Sequence, residues 1–114
     1  LLLDVNNVYV SARNLKFDAA HYVDNFPANA IMEIHLAGYT QDPNLGAALL
    51  IDSHDAPVSA EVWALYEQLI RRIGPRPTLI ERDDNLPAFD ALLDERERAA
   101  AILTEPLAKF AKAA

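Results

Sequence analysis

Apolar and polar positions along this chain change period several times, and each change marks an element. Leu1 to Val5 is a short apolar run ended by Asp4 and the Asn6-Asn7 pair, which predicts a buried parallel strand running into a loop. Asp18 is a helix N-cap, and the helix behind it is expected to stop near Phe26-Pro27. A second strand is predicted from Ile31 to Ala37, closed by Gly38. Beyond it lies a long loop, Tyr39 to Val58, interrupted by the apolar stretch Ala47 to Ile51. Helical periodicity is clearest after Ser59: Val62, Leu65, Tyr66, Leu69, Ile70 and Ile73 recur on one face before Gly74-Pro75. Thr78 to Glu81 reads as a third strand. Asn85 and Pro87 open a further helix with Leu86, Phe89, Leu92 and Leu93 on one face, and a last short helix is expected after Thr104, with Pro106 in its first turn.

Strand and helix alternate three times, and the strands are almost wholly apolar. This is the signature of an α/β protein with a parallel sheet covered by helices. A doubly wound sheet and a barrel share that local pattern, so periodicity leaves the choice between them open.

Composition narrows the function more than the fold. Hydrophobic residues make up 52% and charged residues 24% of 114 positions, the balance of a globular domain. The formal charge of -7 and the scattered basic residues carry no nucleic-acid footprint. Without cysteine there is no disulfide, thiolate metal site or thiol nucleophile, so any metal must be held by nitrogen and oxygen. No apolar run approaches the roughly 20 residues that span a bilayer, and no secretory signal opens the chain, so no membrane contact and a cytoplasmic location are expected.

The polar residues inside apolar runs carry the candidate chemistry. Glu33 and His35 alternate with Met32, Ile34 and Leu36, so both side chains leave the same face of the strand. A carboxylate there must be paired, protonated or bound to a cation. A structural Glu-His hydrogen bond is one reading and a shared metal is the other. Asp52 and His54 repeat the spacing after Leu49-Leu50-Ile51; a turn held by Asp52 with an exposed His54 is the alternative. Asp4 and Glu81 end the first and third strands, at the edge where α/β proteins place their sites. The bland alternatives are an Asx-turn for Asp4 and a salt bridge to Arg71 or Arg82 for Glu81. Asp83, Asp84 and Asn85 read as capping residues, His21 as a surface residue, Trp63 and Tyr66 as core, and Asp94 to Arg98 as a solvated helical face.

Four segments share a wider pattern: Leu1 to Tyr9, Glu33 to Gly38, Leu50 to Val58, and Thr78 to Asp83. In this order they resemble the multinuclear non-haem iron-dependent oxidase family, which includes the catalytic subunit of methanobactin biosynthesis. The resemblance implies a xylose-isomerase-like TIM barrel holding two or three iron ions at the carboxyl ends of its strands. It implies oxidation, with dioxygen, of cysteine-containing ribosomally made peptides, alongside a separate peptide-recognition protein. By motif it assigns metal-ligand roles to Asp4, Asn7, Glu33, His35, Asp52, His54 and Glu81, with Asn6 as the alternative to Asn7. Tyr39 stands where many relatives carry histidine.

A complete barrel takes about 250 residues and eight strand-helix units. Residues 1–114 are therefore expected to be the C-terminal part of one barrel domain, a partial barrel of about three units. Such a chain is expected to be inactive by itself and to self-associate. The competing readings are a divalent-metal sugar isomerase or endonuclease-like barrel, and a non-catalytic interaction module.

Overall fold

The computed structural model describes residues 1–113, with side chains through Glu105. The element order is β1 (Leu2–Asp4), α1 (Val5–Leu15), α2 (Ala19–Asn25), a 3-10 turn (Ala28–Ala30), β2 (Glu33–Leu36), β3 (Thr40–Asp42), β4 (Gly46–Ile51), α3 (Ala60–Ile73), β5 (Thr78–Ile80) and α4 (Phe89–Ala113). The fold is α/β. β1, β2 and β5 form a three-stranded sheet in that order, parallel throughout, and β3 and β4 form a separate antiparallel hairpin. The sheet does not close into a barrel: β1 and β5 are its two edges.

Strand alternation divides the sheet into two unlike faces. Leu3, Ile34 and Leu36, with Val5, Val62, Tyr66, Leu69 and Ile70, form the core between sheet and helices. Burial of each such side chain contributes roughly 1.5–3 kcal/mol. Tyr66 and Thr78 share a hydroxyl hydrogen bond of 2.8 Å that ties α3 to β5. The register pairs Leu2 with Glu33, Asp4 with His35, and His35 with Leu79, so these residues share the opposite face. Leu2 and Leu79 are 44% and 49% exposed there. Helices thus cover one face rather than both.

The helix over Ala60–Ile73 forms where the sequence predicts it. Ser59 Oγ accepts from the Val62 N–H, and Gly74, at a positive φ of 85°, accepts the chain's exit. Asp18 likewise caps α2 through the His21 N–H. Other elements differ from the reading of the sequence. The chain does not run from β1 into a loop: Asp4 is an N-cap whose carboxylate accepts from the Asn7 N–H, and α1 begins at once. Its valines and paired asparagines have low helix propensity, and burial of Val5, Val8 and Tyr9 outweighs it. α4 does not open at Asn85 and Pro87 but begins at Phe89, so Leu86 lies outside it, and Leu86 and Phe89 are 72% and 70% exposed. The separate last helix does not occur, because α4 runs on to Ala113, and Ile102 and Leu103 pack against the core ahead of Pro106.

Candidate metal centre

The carboxyl ends of the strands bring the candidate residues together. Asp4 is the last residue of β1, His35 its register partner on β2, and Glu81 follows β5, with its N–H bonded to Leu36 O at 2.8 Å. The β3–β4 hairpin returns the chain over this edge, so that Asp52 and His54 follow β4 directly. Gly38 makes the return possible. A Cβ there would lie 2.1 Å from the carbonyl oxygen of Ala56, so only glycine lets the two loops approach. The Gly38 carbonyl in turn accepts from the His54 N–H at 3.1 Å and from Asn6 Nδ2 at 3.2 Å.

His54 is the hub. Its Nε2 lies 2.9 Å from Asp52 Oδ1 and 4.0 Å from Asp4 Oδ2. Its Nδ1 lies 3.2 Å from both Glu81 Oε2 and Asp83 Oδ2. Despite the short approach to Asp52, buried Nε2 has no hydrogen-bond partner, because the carboxylate oxygen lies out of line for a ring N–H. Two such atoms side by side could hold one cation between them.

A second imidazole stands beside the first. His35 Nε2 is 3.1 Å from Glu33 Oε1, and its Nδ1 contacts Glu81 Oε1. Glu81 therefore bridges the two histidines, one oxygen to each. Asn6, fully buried, donates through Nδ2 to Asp52 Oδ1 while its own Oδ1 has no partner. Asn7 is exposed and donates to Asp52 Oδ2 at 3.3 Å. Its amide oxygen could serve a cation after a half-turn of the amide.

Ligand atoms of Asp4, Asp52 and His54 lie within 4.8 Å of one another, as do those of His54, Glu81 and Asp83. Glu33 and His35 adjoin these groups through Glu81 and lie outside both. Among the described residues no arginine or lysine pairs with these carboxylates; Arg82 turns instead to Glu95. The electrostatics follow from that imbalance. Burial, opposed by the Asn7 N–H and reinforced by Asp52, raises the Asp4 pKa above its ordinary value. Burial would lower that of His54, but Asp52, Glu81, Asp4 and Asp83 together raise it. An all-nitrogen-and-oxygen donor set with excess negative charge and an unpartnered imidazole nitrogen fits a divalent cation.

Several sequence readings change here. Asp83 does not cap α4, which begins at Phe89; it faces His54. Its position two residues after Glu81 was the available signal. Glu81 pairs with neither arginine: Arg71 holds Glu67 and Arg82 holds Glu95. Glu95 is therefore not part of a solvated face. Tyr39 packs its ring on Tyr9, with centroids 5.4 Å apart, outside both three-residue groups. His21 is exposed, and Trp63 and Tyr66 are buried. Among the described residues no helix is long and apolar enough to cross a membrane.

The chain is 62% identical over 104 residues to a UPF0276 protein of Caulobacter sp. (strain K31), covering 91% of this chain and 37% of that protein. It is 55% identical over 109 residues to a UPF0276 protein of Bordetella bronchiseptica, covering 95% and 38%. A UPF0276 protein of Acaryochloris marina is 50% identical over 99 residues, covering 87% and 34%. The chain thus spans little more than a third of the length of these relatives. Residues 1–104 match the family described as RiPP precursor modification enzyme MbnB/TglH/ChrH, and the chain belongs to that family.

Proposed function

We propose that this chain is the C-terminal portion of an iron-dependent oxidative enzyme that uses dioxygen to modify cysteine-containing, ribosomally made peptides. The proposed metal ligands are Asp4, Asn7, Glu33, His35, Asp52, His54 and Glu81. The observation that carries the reading is the unpartnered Nε2 of His54 amid the carboxylates of Asp4 and Asp52. Family membership directs it toward peptide substrates.

Bound iron would supply redox chemistry with dioxygen at this edge of the sheet. The residues of the chain do the rest. Asp4 and Asp52 offer oxygens to a cation beside His54 Nε2, while Glu81 and Asp83 can accept a proton from Nδ1 and fix the ring's tautomer. Glu81 orients His35 in the same way through Nδ1, leaving Nε2, beside Glu33 Oε1, to face a cation. The sheet face carrying them is open, which leaves room for a peptide. In the whole protein further strands would continue β1 and β5 into a TIM barrel, and a separate recognition protein would present the peptide.

The test uses a full-length relative and the 114-residue chain side by side. The reading expects two or three irons and iron(II)-dependent oxygen uptake with a cysteine-containing peptide in the former, with incomplete binding and no turnover in the latter. A full-length protein that binds only zinc or magnesium and consumes no oxygen would overturn it.

A further inference from the structure

Glu95 lies on α4, away from both cation groups, yet it touches the two segments that build them. Its Oε2 accepts the Val58 N–H at 2.9 Å, and its Oε1 faces Arg82 Nη2 at 3.4 Å. The Glu95 and Arg82 side chains are only 14% and 7% exposed. Val58 closes the loop that carries Asp52 and His54. Arg82 stands between Glu81 and Asp83. A single carboxylate on a third element therefore joins the two segments that meet at His54.

The loop needs such support. His54 has a positive φ of 56°, a left-handed conformation that costs a non-glycine residue about 1–2 kcal/mol and persists only where surrounding contacts over-determine it. Its N–H is held by Gly38 O, and its carbonyl by the Asp83 N–H at 2.7 Å. Asn85 Nδ2 adds a bond to Asp55 O at 3.3 Å. Glu95 alone among these ties also governs a charge. It holds Arg82, the nearest cation in sequence, away from the carboxylates on either side of it.

We infer that Glu95 is a positioning residue of the metal centre: from α4 it clamps Val58 to Arg82, sets the spacing between His54 and the Glu81–Asp83 carboxylates, and keeps Arg82 from neutralising them. The inference rests on the metal reading above and deepens it. A surface ion pair would contribute little. This pair is mostly buried, and removal of the carboxylate leaves Arg82 as an uncompensated cation beside Glu81.

The experiment compares the full-length wild-type protein that contains this chain with its Glu95→Ala and Glu95→Gln variants by two measurements. Cobalt(II) titration, followed by visible absorption, reads the centre directly. Residue-resolved amide exchange without metal reads the loop. Glu95→Ala should weaken cobalt(II) binding by about 10–100-fold, the range for loss of a group that orients a ligand, and Glu95→Gln by less, since its amide oxygen can still accept from Val58. In both variants exchange at His54 and Asp83 should accelerate by about tenfold while that at Ile34, bonded to Pro77 O, stays constant. Unchanged affinity with unchanged exchange at His54 and Asp83 would overturn the inference. So would uniform acceleration that includes Ile34, the sign of a purely structural role. If Glu95→Ala does not fold, Glu95→Gln decides by the same two measurements. If the full-length wild-type protein binds no cobalt(II), the metal reading fails, and exchange alone decides whether Glu95 sets the loop.

Discussion

Nε2 of His54 approaches Oδ1 of Asp52 to 2.9 Å without donating a hydrogen bond to it. A proton between them would relieve the contact poorly because the line of approach is wrong, whereas a cation set to one side could bind both atoms. His54→Ala is therefore expected to weaken divalent-metal binding by more than the roughly 10–100-fold caused by loss of a group behind a ligand.

The same residue separates ligand loss from loss of fold. At a φ of 56°, alanine has the steric cost of any side chain and glycine has none. His54→Gly should match His54→Ala in lost metal affinity but exceed it in stability by about 1 kcal/mol. Urea unfolding and calorimetric metal titration measure the two quantities separately; equal metal binding by wild type and either variant would remove His54 from the centre.

Charge crowding around His54 also fixes how the metal-free chain responds to pH. The folded-state pKa values of Asp4 and His54 both lie above their ordinary values of 3.8 and 6.5. The folded chain thus holds these protons more tightly than the unfolded chain does. The Asp4 contribution is complete below its ordinary value and is lost as pH rises through the raised one; the His54 contribution behaves likewise around its own pair of values. Stability should fall as pH climbs from the ordinary His54 value of 6.5 through the raised one. A bound divalent cation takes the proton's place, so adding one should flatten the profile. The urea midpoint across this range, with and without manganese(II), checks both statements.

The sequence made some of this arrangement visible for identifiable reasons. α3 has a capping serine, a sustained apolar stripe and a terminal glycine, all local signals that agree. Glu33 and His35 share a face because strand alternation is a rigid rule. His54 obeys no such rule: its left-handed backbone places the ring by loop geometry, which spacing from Asp52 does not encode. Asn6-Asn7 has the composition of a turn, and only the packing of Val5 and Val8 makes it helical. Glu95 sits in a run of charges whose usual fate is solvent. Its burial depends on Arg82 and Val58, both distant in sequence.

Asn6 and Asn7 should separate under mutation although they are adjacent. Asn6 is fully buried and donates to both Gly38 O and Asp52, so Asn6→Ala should cost about 1–3 kcal/mol through groups left unsatisfied. Asn7 is exposed with one long bond to Asp52, so Asn7→Ala should change stability by less than about 0.5 kcal/mol. As a proposed ligand, however, Asn7 should matter to metal affinity. A folded Asn7→Ala chain with undiminished manganese(II) binding would transfer the ligand role to Asn6, whose Oδ1 lacks a partner.

The open face of the sheet predicts how the isolated chain behaves in solution. Leu2 and Leu79 lie on that face, 44% and 49% exposed, and β1 and β5 have unpaired edges among the described residues. Exposed apolar surface beside free strand edges promotes association, and a second copy offers the same complementary features. We expect concentration-dependent self-association by light scattering. Charge should oppose it, because each chain carries a formal -7 and the shared face includes Asp4 and Glu33. Added salt shortens the screening length to about 8 Å at physiological strength, so it should strengthen association, opposite to its effect on an interface of complementary charges. Leu79→Glu, which places a carboxylate on the open face at a half-exposed position outside the core, should shift the chain toward monomer. A monomer at every concentration and salt level would show that the exposed leucines do not draw copies together.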